Sequence, residues 1–423
     1  MTDADGDGSA DGGPPPRSAR DRAFDVLDRL VAASATERLL ISGSALLLSV
    51  AIGFLLILAA GRMTSCDAAA YSLFGVGFCY DPILVYDSLF LGAFGDFFAN
   101  PLNGQFATTV SETTVLVFTG VAVAVAFKAG VFNIGGQGQL VFGALASALV
   151  VYALAGAVSG LVGTVVLVTV GVAVGALVGG LYGAIPGALK AYADANEVIT
   201  TIMLNFVATS VALYLAGGPF KDPESFANQT RRLPEYALFP QPLFPGRTDA
   251  SLLALALAVA VAVGIAYLLR RTAFGYDVRT SGIQPEAAEY GGVDAARTVV
   301  SSMALSGALA GIGGAVYVLT IAGNFQTGVP DYGFDGITVS ILAGNNPVGA
   351  VAAALLFGVL KSGSIVVDVG TDVPPQLVGV LRGLIVLFVA MPEFFRMIGK
   401  RVDVRDRLGG SRDAVATDGG EEA

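Results

Sequence analysis

"FKAGVFNIGGQGQLVFGALAS", residues 127–147, has the apolar flanks of a membrane-crossing helix and a centre that such a helix does not need. Glycines at 135, 136 and 138 loosen the backbone, while Asn133, Gln137 and Gln139 bring uncharged hydrogen-bonding groups. In hydrocarbon every backbone N–H and C=O must be paired, so an unwound stretch survives there only where protein encloses it or it lines a wet cavity. The combination suits a path for a polar, neutral solute. Close helix packing is the competing reading, since small residues let helices approach and Asn or Gln can bond across them. Glycines alone favour packing; the three amides among them turn the balance toward a path.

The rest of the chain supports a membrane setting. Of 423 residues, 54% are apolar and 14% charged, well under the roughly 25% charged of a soluble domain. Crossing a bilayer core takes about 20 helical residues. Leu39 to Ala60 is the clearest run, with Val165 to Leu181 and Leu252 to Leu269 nearly as clean. Thr113 to Phe127, Gln139 to Leu154, Val198 to Leu215, Val299 to Ile321, Phe334 to Leu342, Val348 to Leu360 and Leu377 to Met391 bring the expected count to ten. The fold expected is an all-α integral membrane protein of about ten transmembrane helices. Residues 1–38 form an N-terminal segment, 39–391 the membrane domain and 392–423 a C-terminal tail.

Lys and Arg close to a span are retained on the cytoplasmic side. Arg17, Arg20, Arg22, Arg29 and Arg38 precede the first span; Arg396, Lys400, Arg401, Arg405, Arg407 and Arg412 follow the last. Both termini are expected in the cytoplasm of a multi-pass plasma-membrane protein. Lys128, Lys190, Arg270, Arg271, Arg279 and Arg297 then fall inside, and 61–112 outside. The loop 217–249 disagrees, with four cations although it must lie outside, but four acids match them.

Several chemistries are absent. A net charge of −10 argues against a nucleic-acid partner, and without histidine and with two cysteines there is no Cys/His metal cluster and no imidazole for proton transfer. No catalytic residues are assigned. No P-loop motif occurs, so any ATP that drives the protein is held by another subunit. Cys66 and Cys79, thirteen residues apart in the outer segment, are either a disulfide or two free thiols. The aromatic stretch from Tyr71 to Phe98 reads as a structural element along the outer surface.

A second interrupted run, "GVPDYGFDGITVSILAGNNPVGA" at 328–350, again sets glycines and amides in an apolar stretch. The two breaks adjoin spans three and eight. An offset of five spans reverses direction, which describes inverted repeats with broken helices near the midplane and a site between them. The loop "FGYDVRTSGIQPEAAEYGGVDAARTV" at 274–299 carries a short helix starting at Pro285 and ended by Gly291 and Gly292, suited to docking a cytoplasmic partner.

Four stretches in order carry a resemblance: "GVFNIGGQGQLVFGALAS", "NEVITTIMLNFVA", the 274–299 loop with its continuation to Ala315, and "YGFDGITVSILAGNNPVGAVAAALLFG". Together they resemble the permease subunits of ABC importers for nucleosides and simple sugars, related to ribose and branched-chain amino acid permeases. The resemblance runs from about Thr113 to Met391. It implies a non-enzymatic transport subunit binding no cofactor of its own, with ATP and Mg used by a cytoplasmic ABC ATPase. It also implies a second, homologous permease in a heterodimer and an external solute-binding lipoprotein. Carried over by position, Asn133, Gln137, Gln139, Glu197, Asn205, Phe334, Asp335, Asn345 and Asn346 are solute-path candidates. Arg279, Glu286, Ala287, Ala288 and Gly292 resemble the front of the loop that couples to the ATPase; its later part has no counterpart here. The family usually has an acid where this chain has Gln137, so the position does not work here through charge. The alternative is a secondary transporter or channel without an ATPase. Such carriers couple through buried ionisable groups, whereas Glu112, Glu197, Asp335, Lys361 and Arg382 all fall near expected span ends.

Overall fold

The structure, a computed structural model, describes residues 35–241, 244 and 249–391. The C-terminal tail, and the N-terminal segment before residue 35, lie outside these residues, as do the terminal cations used above for orientation other than Arg38. The described chain is all-α apart from one two-stranded antiparallel hairpin, β1 (Tyr71–Leu73) and β2 (Val76–Phe78).

All ten expected spans fall on helices. Eight of these, among the described residues, are long and apolar enough to cross a membrane. They are α1 (Ala35–Met63), α3 (Gly104–Lys128), α4 (Gly136–Ala155), α5 (Gly160–Ala193), α6 (Glu197–Gly217), α7 (Leu252–Arg271), α10 (Ala295–Val316, continued by a π turn over Tyr317–Ala322) and α12 (Pro347–Gly370). Two are shorter: α11 (Tyr332–Leu342) has 11 residues, about 16 Å of helix, and α13 covers Pro375–Met391. Between α1 and α3 lie the hairpin and α2 (Pro82–Phe90), which starts on the side chain of Asp81. Cys66 and Cys79 are joined by a disulfide across the hairpin, with Cα atoms 5.7 Å apart. Between α7 and α10 come α8 (Ala273–Ile283) and α9 (Pro285–Tyr290).

Local chemistry sets the ends of these helices. Asn103, Asn196, Ser251, Asp294 and Asn346 each accept a backbone N–H in the first turn of α3, α6, α7, α10 and α12, pairing donors that a helix start leaves without partners. Helix α3 is apolar on all sides and runs through the centre, buried almost without interruption from Ala107 to Ala126. Its hydroxyls return to the helix: Thr113 donates to the Thr109 carbonyl and Thr114 to that of Val110, both at 2.7 Å.

The tightest packing joins α5 to α10. Gly171, Gly175, Gly179, Gly183 and Gly187 recur every fourth residue on α5, and the middle three face Gly307 and Gly311 of α10. A methyl group on Gly179 would overlap the Gly307 carbonyl, and one on Gly311 would overlap that of Gly175. Bare backbones are what allow this approach, since between lipid-facing helices van der Waals contact has to supply the association.

Helix α11 is held differently. The helices extend beyond the apolar runs: α3 begins at Gly104 rather than Thr113, and α12 ends at Gly370 rather than Leu360. Glu112 and Lys361 therefore lie within their helices instead of at span ends, which corrects the sequence expectation, while Asp335 stays in the first turn of α11, and the three meet inside the bundle. Lys361 Nζ lies 3.0 Å from Asp335 and 3.5 Å from Glu112, with the lysine side chain only 12% exposed. Tyr332 OH donates to Glu112 at 3.0 Å, and the ammonium stands 3.9 Å over the Tyr332 ring. The cluster ties one face of α11 to α3 and α12.

Replacing Gly179 with Leu should lower the midpoint of thermal unfolding in detergent, by an overpacking cost of about 1–3 kcal/mol; an unchanged midpoint would exclude the close approach. Lys361→Met should destabilise by about 3–5 kcal/mol, because it leaves two acids without their counter-charge. Adding Glu112→Gln and Asp335→Asn to it should restore most of the loss, and equal instability of the single and triple variants would count against the ion cluster.

Candidate functional site

The break after α3 begins at Ala129, six residues before the first of the three glycines. The helix ends at Lys128, Gly130 takes a positive φ of 74°, and the chain returns to Gly135 before α4 starts at Gly136. Gln137, Gly138 and Gln139 thus form the first turn of α4 instead of an unwound stretch, a correction to the expectation that all three glycines open the backbone. The returning segment reaches well inside the bundle, since Asn133 Nδ2 donates at 2.8 Å to Ser306, twelve residues into α10.

The amides serve the backbone at this interruption. Asn133 Oδ1 accepts the Gly135 N–H at 3.0 Å, and Asn133 and Gln139 exchange two hydrogen bonds of 2.9 and 3.2 Å. At 2% and 1% exposure, these two side chains are spent on each other and on Ser306. Asn205 reaches across from α6: its Oδ1 accepts the Gly138 N–H at 2.8 Å and its Nδ2 donates to the Ile134 carbonyl at 2.9 Å. Gln137 connects the two breaks. It accepts the Gly333 N–H at 2.8 Å and donates to the Pro330 carbonyl at 3.0 Å. At Gly333 an added methyl would overlap the Gln137 backbone, so the first turns of α4 and α11 abut.

Beside this junction lies a cavity of about 400 Å³. Gln137 and Val141 of α4 form one wall, the Ile202 to Leu213 face of α6 another, and Phe325 to Phe334 the third. The lining is mostly apolar, with Gln137, Asn205, Thr209, Thr327 and Asp331 as its polar members. That is the usual composition of a small-molecule site, in which a few polar groups orient a ligand against an apolar wall. Phe334 is 40% exposed and presents an aromatic ring to it. The N-terminal ends of two helices meet here, each carrying partial positive charge that favours an electron-rich ligand atom.

Of the nine candidate path residues, Gln137, Asn205 and Phe334 line this cavity. Asn133 and Gln139 lie buried behind it. Glu197 pairs with Lys190 at 3.3 Å across the turn between α5 and α6, and Asp335 belongs to the ion cluster. Asn345 takes a φ of 55° in the turn after α11 and accepts from Ser340 at 2.9 Å, while Asn346 caps α12. Thr209 and Asp331 line the cavity but were not among the candidates. Thr209 stands four residues beyond Asn205 on one face of α6, a spacing that could have found it.

The 274–299 loop folds into α8 and α9. Pro285 opens α9, and Gly292 follows it with a φ of 84°. Ala288 is buried against the bundle, whereas Glu286, Ala287 and Gly292 are exposed and Tyr290 is 96% exposed. Arg279, also exposed, lies on α8 and donates to the Gly275 carbonyl at 3.1 Å.

Residues 105–390 match the family described as branched-chain amino acid transport system / permease component. The chain is 31% identical over 327 residues to the nucleoside ABC transporter permease protein NupB of Lactococcus lactis, covering 75% of this chain and 85% of that one. It is 32% identical to the guanosine ABC transporter permease protein NupP of Bacillus subtilis, covering 74% and 87%. It is 33% identical to the glucose ABC transporter permease protein TsgB13 of Haloferax volcanii, covering 77% and 87%. With eight crossing-length helices among the described residues and a family match over most of its length, the chain belongs to the branched-chain amino acid transport system / permease component family, as a membrane-spanning permease subunit of an ABC importer.

Proposed function

We propose that this permease carries a nucleoside, with a simple sugar as the second reading. The observation that carries the proposal is the mostly apolar cavity of about 400 Å³ at the junction of α4 and α11, where the amides of Gln137 and Asn205, the Asp331 carboxyl and the Phe334 ring line the wall. A nucleoside offers hydroxyl and amide edges for Gln137, Asn205 and Thr209 and a flat base for Phe334. Two of the relatives above transport nucleosides or guanosine by name, and one glucose.

In the same reading, the end of the bundle bearing Lys128, Lys190, Arg270 and Arg279 faces the cytoplasm. The hairpin with its disulfide and the 217–249 loop then lie outside, where disulfides persist. A cytoplasmic ABC ATPase docks on α9, a second homologous permease completes a heterodimer, and an external solute-binding lipoprotein delivers the cargo. Helices α4 and α11 leave their junction in opposite directions, α4 toward the outer end and α11 toward Lys128, as inverted repeats require. Glu112 and Asp335 share Lys361 inside the bundle and Tyr332 OH donates to Glu112, which fits a structural tie better than an ion-coupling site.

Uptake of labelled guanosine and labelled glucose by the reconstituted importer separates the two solutes. Phe334→Ala should weaken guanosine transport by the loss of stacking, worth about 1–3 kcal/mol per base, and leave sugar uptake nearly unchanged. Thr209→Val should cost about 0.5–1.5 kcal/mol, no more than roughly tenfold. Glucose uptake that responds to Phe334→Ala as strongly as guanosine uptake would decide against a stacking site. For the docking surface, Glu286→Lys should cut solute-stimulated ATP hydrolysis in an assembled complex of normal stability, and full stimulation would remove α9 from that role.

A further inference from the structure

A second cavity, of about 540 Å³, opens at the end of the bundle where α3, α7, α8 and the α11–α12 turn converge. Three cations from three different elements line it: Lys128 from the end of α3, Arg270 from the end of α7 and Arg279 from α8. No carboxylate lines it among the described residues, and among these residues neither Arg270 nor Arg279 has an ion pair. The bond from Arg279 Nε to the Gly275 carbonyl fixes that guanidinium, leaving its terminal nitrogens as further donors. The remaining wall includes Leu269, Leu342 and Pro347. Next to it the outer face of α7 is apolar and exposed at Val263 and Tyr267.

Although Arg270 and Arg279 are exposed, with Lys128 they line one open cavity whose wall also holds Leu269, Leu342 and Pro347, and that cavity adjoins an exposed apolar helix face. We infer that this cavity binds the phosphodiester headgroup of an anionic phospholipid, with the acyl chains lying along α7. Guanidinium groups match phosphate oxygens in pairs, and basic pockets between membrane helices are suited to anionic headgroups. The volume lies within the range of about 300–1,000 Å³ usual for small-molecule sites. This site is separate from the solute cavity and does not rest on which solute is carried.

The test uses the full chain in its assembled transporter, in phosphatidylcholine nanodiscs titrated with fluorescent phosphatidylglycerol. Phosphatidylglycerol should bind saturably to the wild type. Arg270→Gln and Arg279→Gln should each weaken it by about fivefold, the effect of roughly 1 kcal/mol per cation, and Arg270→Lys should retain most of the affinity. Unchanged binding in the Arg270→Gln/Arg279→Gln double variant would overturn the assignment. Complete displacement by millimolar inorganic phosphate would overturn the lipid source in favour of a free anion. Loss of the ATPase from the variants with lipid binding unchanged would overturn it too, by giving these arginines to the partner. If the double variant fails to assemble, the single variants and Arg270→Lys decide the question by the same readings.

Discussion

The pairing between Gln137 and the start of α11 is the interaction on which the central architecture depends. Two helices begin inside the bundle, and each helix start leaves up to four backbone N–H groups without an intrahelical partner. Water satisfies such donors at a protein surface; in hydrocarbon another part of the protein must do it. Gln137 does so for Gly333, Asn205 for Gly138 and Asn133 for Gly135. Each amide has a donor and an acceptor on one short side chain, so it can close a break at both edges, as Asn205 does between Gly138 and Ile134. A carboxylate at position 137 would accept from Gly333 but could not, when ionised, donate to the Pro330 carbonyl.

Around this junction the packing falls into two regimes. On one side, α5 and α10 meet through glycines with nothing between their backbones, an interface with little room to slide. On the other, α11 is held by one lysine shared between two acids and capped by a tyrosine ring. Buried charges are costly unless paired, so the cluster is stable only in an arrangement that keeps all its members together. The cavity lies between a face of α6 and the short helix that this cluster positions.

Much of the fold could be read from the sequence because its signals are local. Apolar run length placed ten expected spans, each of which falls on a helix, Pro285 and Gly291–Gly292 bounded α9, and proline with asparagine marked the start of α12. What could not be read depends on distant residues. The apolar runs stopped short of the true helix ends, since Glu112 and Lys361 lie in their helices on account of each other and of Asp335. The amides pointed to the right place, yet nothing local says that Asn133 and Gln139 bond to one another while Gln137 reaches the second break. Periodicity describes one helix at a time, and the cavity is a property of three segments.

The joint between α8 and the end of α3 has a mechanical consequence. Gly282 of α8 lies so close to the Lys128 carbonyl that a methyl group there would overlap it, and one on Gly130 would crowd the Gly282 backbone. With no side chain between them, the two backbones form a joint without slack. Helix α9 follows α8 through a single intervening residue, Gln284. A load applied to α9 would therefore reach residues 128–130 as displacement rather than being absorbed by side-chain rearrangement, and those residues lead directly into the returning segment that carries Asn133.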